Sequence, residues 1–289
     1  MPGLDPLLGG GLIPGTLTVV AGATGIGKTQ LGVQFAGAST DDDRRGILFD
    51  MTARGDSQSH AEYARRLFGW EMTAVDAARK PSLAEFFDPD YRHGDYLHVF
   101  DYQGRRVTRR DVDDDAWRRW QSELVAKLGV TIAFFYGNFI RGCRRAVIDG
   151  LEPADRKADS VQLQLLEYVY HQILRKSCDW VARDLFRQVF RRHAEQVAAH
   201  PYDPGAICCL VLYTSQETML DDLIRRPLDE GDLIAGANTV IYLGRTMDGT
   251  RLRRGLYIAK HRGSVASEEI AHFTITDAGL VVGQAPSSK

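Results

Sequence analysis

One short segment of the chain has the residue types and spacing of a phosphate-binding loop. The sequence GATGIGKT, Gly22 to Thr29, matches the pattern G-x-x-x-x-G-K-[ST] and lies between an apolar run and a helix-like segment. Its glycines allow successive backbone N–H groups to point at phosphate oxygens, and the helix start adds its dipole. Lys28 is expected to reach the β- and γ-phosphates and Thr29 to hold Mg²⁺. The other residues expected to bind nucleotide are Gly22, Ala23, Thr24, Gly25, Ile26 and Gly27.

A second candidate for Mg²⁺ binding is Asp149, which directly follows the apolar residues 146–148 in RRAVIDGLEP. An acid at the carboxyl end of a buried strand can reach the Mg²⁺ shell beside the loop. Strands also end in Asp that forms a turn or caps a helix, so the pattern is informative only together with the loop. With the loop present, Asp149 is predicted to bind Mg²⁺. Glu152 is a nearby second acid whose ordinary use is a solvated turn.

Strand-like and helix-like segments alternate, as in a mostly parallel sheet covered by helices on both faces. The apolar runs predict strands at Leu17 to Ala21, Gly46 to Met51, Tyr96 to Asp101, Arg145 to Asp149, Ala206 to Thr214, Thr239 to Leu243 and Leu256 to Lys260. Helices are expected at Lys28 to Gly37, Gln58 to Phe68, Asp113 to Lys127 and, as two helices breaking near Ser177, Asp159 to Ala199. We predict one α/β domain over residues 1–283, expanded at about 81–143 and 155–204, with a disordered tail at 284–289.

The composition narrows the class of protein. With 44% hydrophobic residues in 289, the chain can bury a full core. Its 36 basic and 38 acidic residues nearly cancel, so no overall positive charge attracts it to nucleic acid or to an anionic membrane. The cysteines contain no C-x-x-C pair, which favours buried free thiols in a reducing compartment; they are Cys143, Cys178, Cys208 and Cys209. Because the sequence shows neither a signal-peptide pattern nor about 18 consecutive apolar residues, we expect a cytoplasmic protein without membrane contact.

Both ends of the chain resemble a known family. The opening GLDPLLGGGLIPGTLTVVAGATGIGKTQLGVQF resembles that of the KaiC-like ATPases of the RecA superfamily, where a G-[LF]-D signature and a G-G-G-[LI]-x-x-G turn precede the Walker A loop. The segment LYIAKHRGSVASEEIAHFTITDAGLVV is similar to the family's K-x-R-G-[ST] segment and closing strand. The resemblance implies a RecA-like P-loop NTPase fold: a mostly parallel central sheet flanked by helices, with helical insertions and a C-terminal β segment.

The resemblance also implies a homo-oligomer, a hexameric ring with ATP and Mg²⁺ bound between neighbouring subunits. In that arrangement Asp149 is the Walker B acid, and Ser215 or Gln216 of LYTSQE faces the γ-phosphate. Lys260 and Arg262 of KHR would reach the ATP of the adjacent subunit, where their charges neutralise a transferring phosphoryl group. Without the family, the same residues would be interpreted as the charges that keep an edge strand soluble.

The segment GILFDMTARGDSQ lacks the glutamate with which family members end this strand and polarise the attacking water. Alignment by the strand puts Thr52 and Ala53 at the glutamate positions, and neither can act as a base. Alignment backward from YARRLFGW puts Gly55 and Asp56 there instead. Asp56 is therefore a candidate water-positioning acid, Asp50 and Glu152 are further candidates, and the absence of a dedicated base is a fourth interpretation.

Three classes of function remain open from the sequence. The first is a regulatory or assembly ATPase with slow hydrolysis, and the second is an ATP-gated signalling scaffold that acts with a protein partner and without turnover. The third is a RecA-like DNA-binding recombination mediator. It is less favoured, because RRVTRRDVDDD adds acids directly to its basic residues and the arginines at 183, 187, 191 and 192 fit an exposed helix face.

Overall fold

The computed structural model describes residues 1, 3–38, 45–52, 60–76, 81–100, 108–110, 112–154, 157–226 and 236–283. Within these ranges nine strands form one sheet in the order β3-β2-β4-β5-β1-β6-β7-β8-β9. The strands are β1 (Leu17–Gly22), β2 (Ile47–Asp50), β3 (Tyr96–His98), β4 (Arg145–Leu151), β5 (Cys208–Thr214), β6 (Thr239–Asp248), β7 (Arg251–His261), β8 (Ala271–Thr276) and β9 (Gly279–Val282). The first six pair in parallel, and β7 to β9 add antiparallel strands at one edge. This is the mixed α/β, RecA-like fold that the sequence predicts.

Helices cover both faces of the sheet. They are α1 (Leu4–Leu7), α2 (Lys28–Gly37), α3 (His60–Phe68), α4 (Leu83–Phe87), α5 (Asp114–Ile140), α6 (Val161–Tyr168), α7 (Cys178–Phe186), α8 (Ala194–Ala199) and α9 (Leu220–Arg225). A π-helix at Val169–Leu174 continues α6, and short 3-10 helices lie at Lys157–Asp159, Arg187–Arg192 and Pro204–Ala206. The central strands β1, β4 and β5 are buried on both faces, which is why they read as continuous apolar runs.

The side chains of each central strand alternate between two hydrophobic clusters. In β4, Ala146 and Ile148 face the cluster that includes α5, whereas Val147 faces the cluster that includes α2. In β2, Phe49 faces α5 and Leu48 faces α2 by the same alternation. Residues 50 and 149 are register partners and continue this pattern, so both carboxylates are presented on the α2 side of the sheet.

The expanded segments differ from the prediction in their helices. The predicted helix end at Lys127 is wrong, because α5 continues to Ile140 and packs its aromatic second half against β2. Phe135 lies 5.1 Å from Phe49 between ring centroids. The predicted break near Ser177 is confirmed, since the Ser177 side chain caps α7. The second part of that region contains two α-helices rather than one, because the chain leaves α-helical geometry after Phe186, where Arg187 has φ 42°.

Among the described helices, α5 is the one that is long and apolar enough to cross a membrane by length and composition alone. A helix in the core of a globular protein meets the same criterion. The second half of α5 has this character, since Phe134, Phe135 and Phe139 are buried against the sheet and its neighbouring helices. Packing within the protein therefore accounts for the buried part of the apolar length of α5.

The described cysteines are free, as predicted. Cys143, Cys208 and Cys209 are buried and Cys178 is half-buried. Burial raises the pKa of the Cys143 and Cys208 thiols to about 11. These three buried side chains act as small apolar groups in the core.

The half-buried His93 leads to a prediction about acid stability. His93 contacts the Phe86 and Tyr91 rings, and burial followed by the charge of Arg141 lowers its pKa to about 4. Since the unfolded chain binds this proton near pH 6.5, stability should fall as the pH drops from 6.5 towards 4. In wild type, the free energy of unfolding should be lower at pH 5 than at pH 7. We expect this difference to be about 2 kcal/mol smaller in His93→Gln.

The measurement is urea unfolding at the two pH values, and the quantity compared is the difference between them. His171→Gln changes an exposed histidine and is the control. An unchanged pH dependence in His93→Gln would show that another group dominates acid unfolding.

Candidate functional site

The phosphate-binding loop lies where the sequence predicts it, between the end of β1 and the start of α2. Gly22 is the last residue of β1, and a Cβ there would lie 2.3 Å from the Leu243 carbonyl oxygen, so glycine is required. Gly25 and Gly27 have φ of 77° and 122°, which the loop needs for its turn. Thr24 and Gly25 are exposed, whereas Ile26 anchors the loop in the α2-side core.

The Lys28 ammonium is directed back at its own loop. Its Nζ donates hydrogen bonds to the Gly22 carbonyl at 2.8 Å and the Ala23 carbonyl at 3.0 Å. Burial lowers the pKa of Lys28 to about 8, and the charges of Asp149 and then Glu152 act in the opposite direction. A buried ammonium held by two loop carbonyls is the arrangement expected beneath a bound phosphate.

Thr29 and Asp149 meet, although they are far apart in sequence. The Thr29 hydroxyl donates to Asp149 Oδ2 at 2.7 Å, and the Gly150 N–H donates to Asp149 Oδ1 at 2.7 Å. Burial works to raise the pKa of Asp149, but hydrogen bonds from His60 and Thr29 and the charge of Lys28 hold it below its usual value. A hydroxyl and an ionised carboxylate at the head of a phosphate loop are the hard oxygen donors that fit Mg²⁺.

Comparison with known proteins agrees with this geometry. Residues 1–94 match the family model described as ATPase: KaiC. Over this segment the chain is similar to the KaiC ATPase family. Among curated proteins, none matches the chain. The family match includes the Walker A loop, β2 and α3 and ends before β3, so it does not extend to Asp149 or the later candidate site residues.

The candidate site also contains a buried histidine that no sequence pattern singles out. His60, the first residue of α3, lies with Nε2 at 3.0 Å from Asp149 Oδ2 and Nδ1 at 3.4 Å from Asp50 Oδ2. Burial works to lower the pKa of His60, but its contacts with Asp149 and Asp50 raise it above the ordinary value. A single histidine at a helix start has no distinctive sequence signal, so only the folded chain identifies it.

Asp50 is oriented into the protein. Its Oδ1 accepts the Thr52 N–H at 2.8 Å, and its Oδ2 accepts the Tyr96 hydroxyl at 2.7 Å, besides the contact with His60. Burial, and then the Asp50 charge, raise the pKa of Tyr96. Both carboxylate oxygens therefore have protein partners, and Asp50 is poorly suited to position a water molecule. Asp56 lies outside the described residues.

The predicted sensor residues follow β5, whose last residue is the register partner of Gly22. The Ser215 N–H donates to the Gly22 carbonyl at 3.0 Å, and its hydroxyl donates to the Glu217 carbonyl at 3.0 Å. Gln216 is exposed beside the loop. Of the two, Gln216 is the side chain that remains accessible to a nucleotide.

Lys260 and Arg262 lie at the amino ends of the parallel strands. The phosphate loop of the same chain lies at their carboxyl ends. Lys260 pairs with Val240 near the start of β6, and the Arg262 N–H donates to the Asn238 carbonyl at 3.0 Å. The Asn238 N–H in turn donates to the carbonyl of Leu17, the first residue of β1. The phosphate loop follows the other end of that six-residue strand, roughly 20 Å away.

A cavity of about 100 Å³ also lies at the amino ends of the parallel strands. Leu17, Cys209 and Asn238 line it at the strand starts, and Tyr170 and Arg175 close it from the π-helix side. The Arg175 guanidinium donates to the Tyr170 hydroxyl at 2.9 Å. This cavity is separate from the phosphate loop and is not the predicted nucleotide site.

The two basic clusters have acidic neighbours. Arg109 forms an ion pair with Asp114, and Asp113 caps α5 by accepting the backbone N–H of residue 116. Arg183 lies 2.7 Å from Asp179 on α7. These ion pairs reduce the positive charge that would be available to bind a DNA strand.

Proposed function

We propose that this KaiC-like protein binds MgATP in the Gly22–Thr29 loop and hydrolyses it slowly at subunit interfaces, as a regulatory or assembly ATPase. The observation that carries the proposal is the hydrogen bond between Thr29 and Asp149, which joins the head of the phosphate loop to the end of β4. It brings two oxygen donors together beside the buried ammonium of Lys28. The family match to ATPase: KaiC supports nucleotide binding.

Each residue has a separate task in this proposal. Lys28 exchanges its bonds to the loop carbonyls for bonds to β- and γ-phosphate oxygens. Thr29 and Asp149 hold Mg²⁺, which when bound supplies charge neutralisation at the phosphates. Gln216 lies where it can contact the γ-phosphate, and His60 keeps Asp149 oriented towards Thr29.

The interface location is supported by the position of Lys260 and Arg262. Because they lie a strand length from their own loop, they can serve a phosphate only in another copy of the chain. An interface that joins two different edges is heterologous, and repetition of it closes a ring when the rotation permits. A homo-oligomeric ring, with six subunits as in the family resemblance, is therefore the proposed assembly.

A second candidate function is the ATP-gated scaffold, in which nucleotide controls assembly with a protein partner and no turnover occurs. The engagement of Asp50 by Thr52 and Tyr96 favours it, because among the described residues the end of β2 then presents no accessible acid. The scaffold and the slow ATPase share the same binding site and differ only in turnover.

Binding of a fluorescent ATP analogue, titrated with Mg²⁺ and repeated in EDTA, tests the proposal. Asp149→Asn is expected to raise the Mg²⁺ concentration for half-maximal binding at least about tenfold, since an amide is a weak ligand for a hard cation. The matched control is Asp277→Asn, in the exposed turn between β8 and β9. Equal Mg²⁺ dependence in wild type and Asp149→Asn would contradict the metal role of Asp149.

Steady-state hydrolysis over a range of protein concentrations separates the two candidate functions. Turnover per subunit that rises as subunits associate supports an interface ATPase. Saturable MgATP binding without turnover supports the scaffold.

A further inference from the structure

The main chain of Arg262 is held on both sides by one residue. The Arg262 N–H donates to the Asn238 carbonyl at 3.0 Å, and the Asn238 side-chain amide donates to the Arg262 carbonyl at 3.3 Å. Asn238 is itself joined to the sheet, because its N–H donates to the Leu17 carbonyl at the start of β1. The backbone from which the Arg262 side chain extends is therefore tied to the amino ends of the parallel strands.

A row of side-chain hydrogen bonds passes through His261, the residue between Lys260 and Arg262. His261 Nδ1 lies 2.8 Å from the Thr239 hydroxyl, which is buried at the start of β6. His261 Nε2 lies 2.6 Å from the Ser264 hydroxyl, and that hydroxyl lies 2.9 Å from the Leu8 carbonyl oxygen. We call these contacts, from the Thr239 hydroxyl to the Leu8 carbonyl, the His261 network.

The direction of the His261 network follows from its donors and acceptors. The Leu8 carbonyl can only accept, so the single Ser264 O–H hydrogen is donated to it. His261 Nε2 must then carry the hydrogen that lies between the ring and Ser264. In the neutral ring, Nδ1 accepts from the Thr239 hydroxyl. One tautomer and one orientation of the His261 ring thus satisfy the whole network.

Glycines allow the opening turn of the chain to reach this network. Gly9 has φ 62°, and a Cβ there would lie 2.5 Å from the Val265 carbonyl oxygen. Gly263 has φ 104°, a conformation that favours glycine, and it turns the main chain between Arg262 and Ser264. The segment after β7 therefore packs directly on the turn that follows α1, and Ser264 joins the two through its side chain.

We infer that His261 and Ser264 are positioning residues that hold Arg262 where it can act on the nucleotide of the neighbouring subunit. The inference rests on the proposed function, because it requires Arg262 to act between subunits. A displacement of about 1 Å at a group that contacts the transition state can cost a large part of the rate. The network lies at the amino end of β1 and the phosphate loop follows the carboxyl end, so its loss should leave nucleotide binding unchanged.

The first test measures kcat and the Kd of a fluorescent ATP analogue in two variants of Ser264. Ser264→Ala removes the hydroxyl between His261 and Leu8, and we expect kcat to fall about tenfold with Kd unchanged. Ser264→Thr keeps a hydroxyl and should restore a rate close to that of wild type. Ser122→Ala is the matched control, because it removes an exposed hydroxyl that donates to the Arg118 carbonyl on α5.

Hydrogen exchange in the nucleotide-free protein gives a readout that does not depend on hydrolysis. The Arg262 amide hydrogen is bonded to Asn238 in the folded protein and should exchange faster in Ser264→Ala and in His261→Ala. Ser264→Thr should keep the protection seen in wild type. The double variant should exchange no faster than either single variant, because both changes break the same network.

Mixed assemblies separate positioning of Arg262 from general damage to the fold. Ser264→Ala and Lys28→Ala have their defects on opposite sides of a heterologous interface, so their mixture should hydrolyse ATP faster than either variant alone. Ser264→Ala and Arg262→Ala have their defects on the same side. Their mixture should be no faster than Ser264→Ala alone.

The outcomes distinguish the inference from the proposed function. Wild-type kcat in Ser264→Ala, or a loss of rate that mixing with Lys28→Ala does not relieve, would overturn the inference and leave the proposed function standing. MgATP binding by wild type without turnover would overturn the inference and the hydrolytic part of the proposed function. Failure of wild type to bind MgATP would overturn both entirely.

Discussion

Lys28→Ala is expected to weaken ATP binding at least about 100-fold, because it removes a buried charge-assisted contact to phosphate. The substitution also leaves the Gly22 and Ala23 carbonyls without the donor that they have in the folded protein. Weaker ATP binding and the loss of the carbonyl contacts have the same cause, because one ammonium makes both kinds of contact. Hydrolysis, where wild type shows it, should be lost together with binding.

The measurement is the Kd of the fluorescent ATP analogue, together with circular dichroism and Tm to show that the variant is folded. Lys127→Ala on α5 is the matched control, since it removes an ammonium remote from the loop in sequence. Wild-type affinity in a folded Lys28→Ala protein would rule out the Gly22–Thr29 loop as the nucleotide site.

Arg262→Ala is expected to reduce hydrolysis at least about 100-fold while ATP binding to the same subunit is retained. The reason is the separation of Arg262 from its own loop, which lies at the other end of β1. A guanidinium that acts on the neighbouring subunit stabilises the transferring phosphoryl group and does not hold the ground-state nucleotide of its own chain.

Mixing two inactive variants tests this arrangement directly. In a random mixture of Lys28→Ala and Arg262→Ala subunits, about a quarter of the interfaces combine an intact loop with an intact arginine, because each heterologous interface uses different residues from its two partners. We expect hydrolysis to recover to about that fraction. Arg191→Ala, an exposed arginine, is the control. Persistent inactivity of mixtures that do assemble would show that Arg262 does not act between subunits.

The positions of the strands around the site could be predicted well from local patterns. The loop is a contiguous motif, and β1, β4 and β5 are apolar runs because both their faces are buried. The predicted helix at Lys28–Gly37 is confirmed at both ends. The end of α5 was missed because its second half is apolar on all sides, and such a segment lacks the amphipathic spacing that indicates a helix.

The acids at the site illustrate the limit of such patterns. The sequence left Asp50, Asp56 and Glu152 as alternative acids, with Asp56 placed by the alignment backward from YARRLFGW. The orientation of Asp50 depends on Tyr96, which belongs to the neighbouring strand β3. The orientation of Asp149 depends on the Thr29 hydroxyl, which belongs to a residue 120 positions earlier in the chain. Neither contact is local in sequence, so no spacing rule could choose between the acids.

The sequence by itself therefore determined the fold class, the phosphate loop and the resemblance to KaiC-like ATPases, because each is encoded in contiguous residues or in the period of apolar positions. Only the tertiary structure decided that Thr29 meets Asp149, that His60 bridges two carboxylates, and that Arg262 lies away from its own loop. These facts depend on strand order and register, which arise when distant segments pair. One pairing is selected by the free energy gained when whole faces of the sheet are buried. That free energy is distributed over many residues and is not encoded in any short motif.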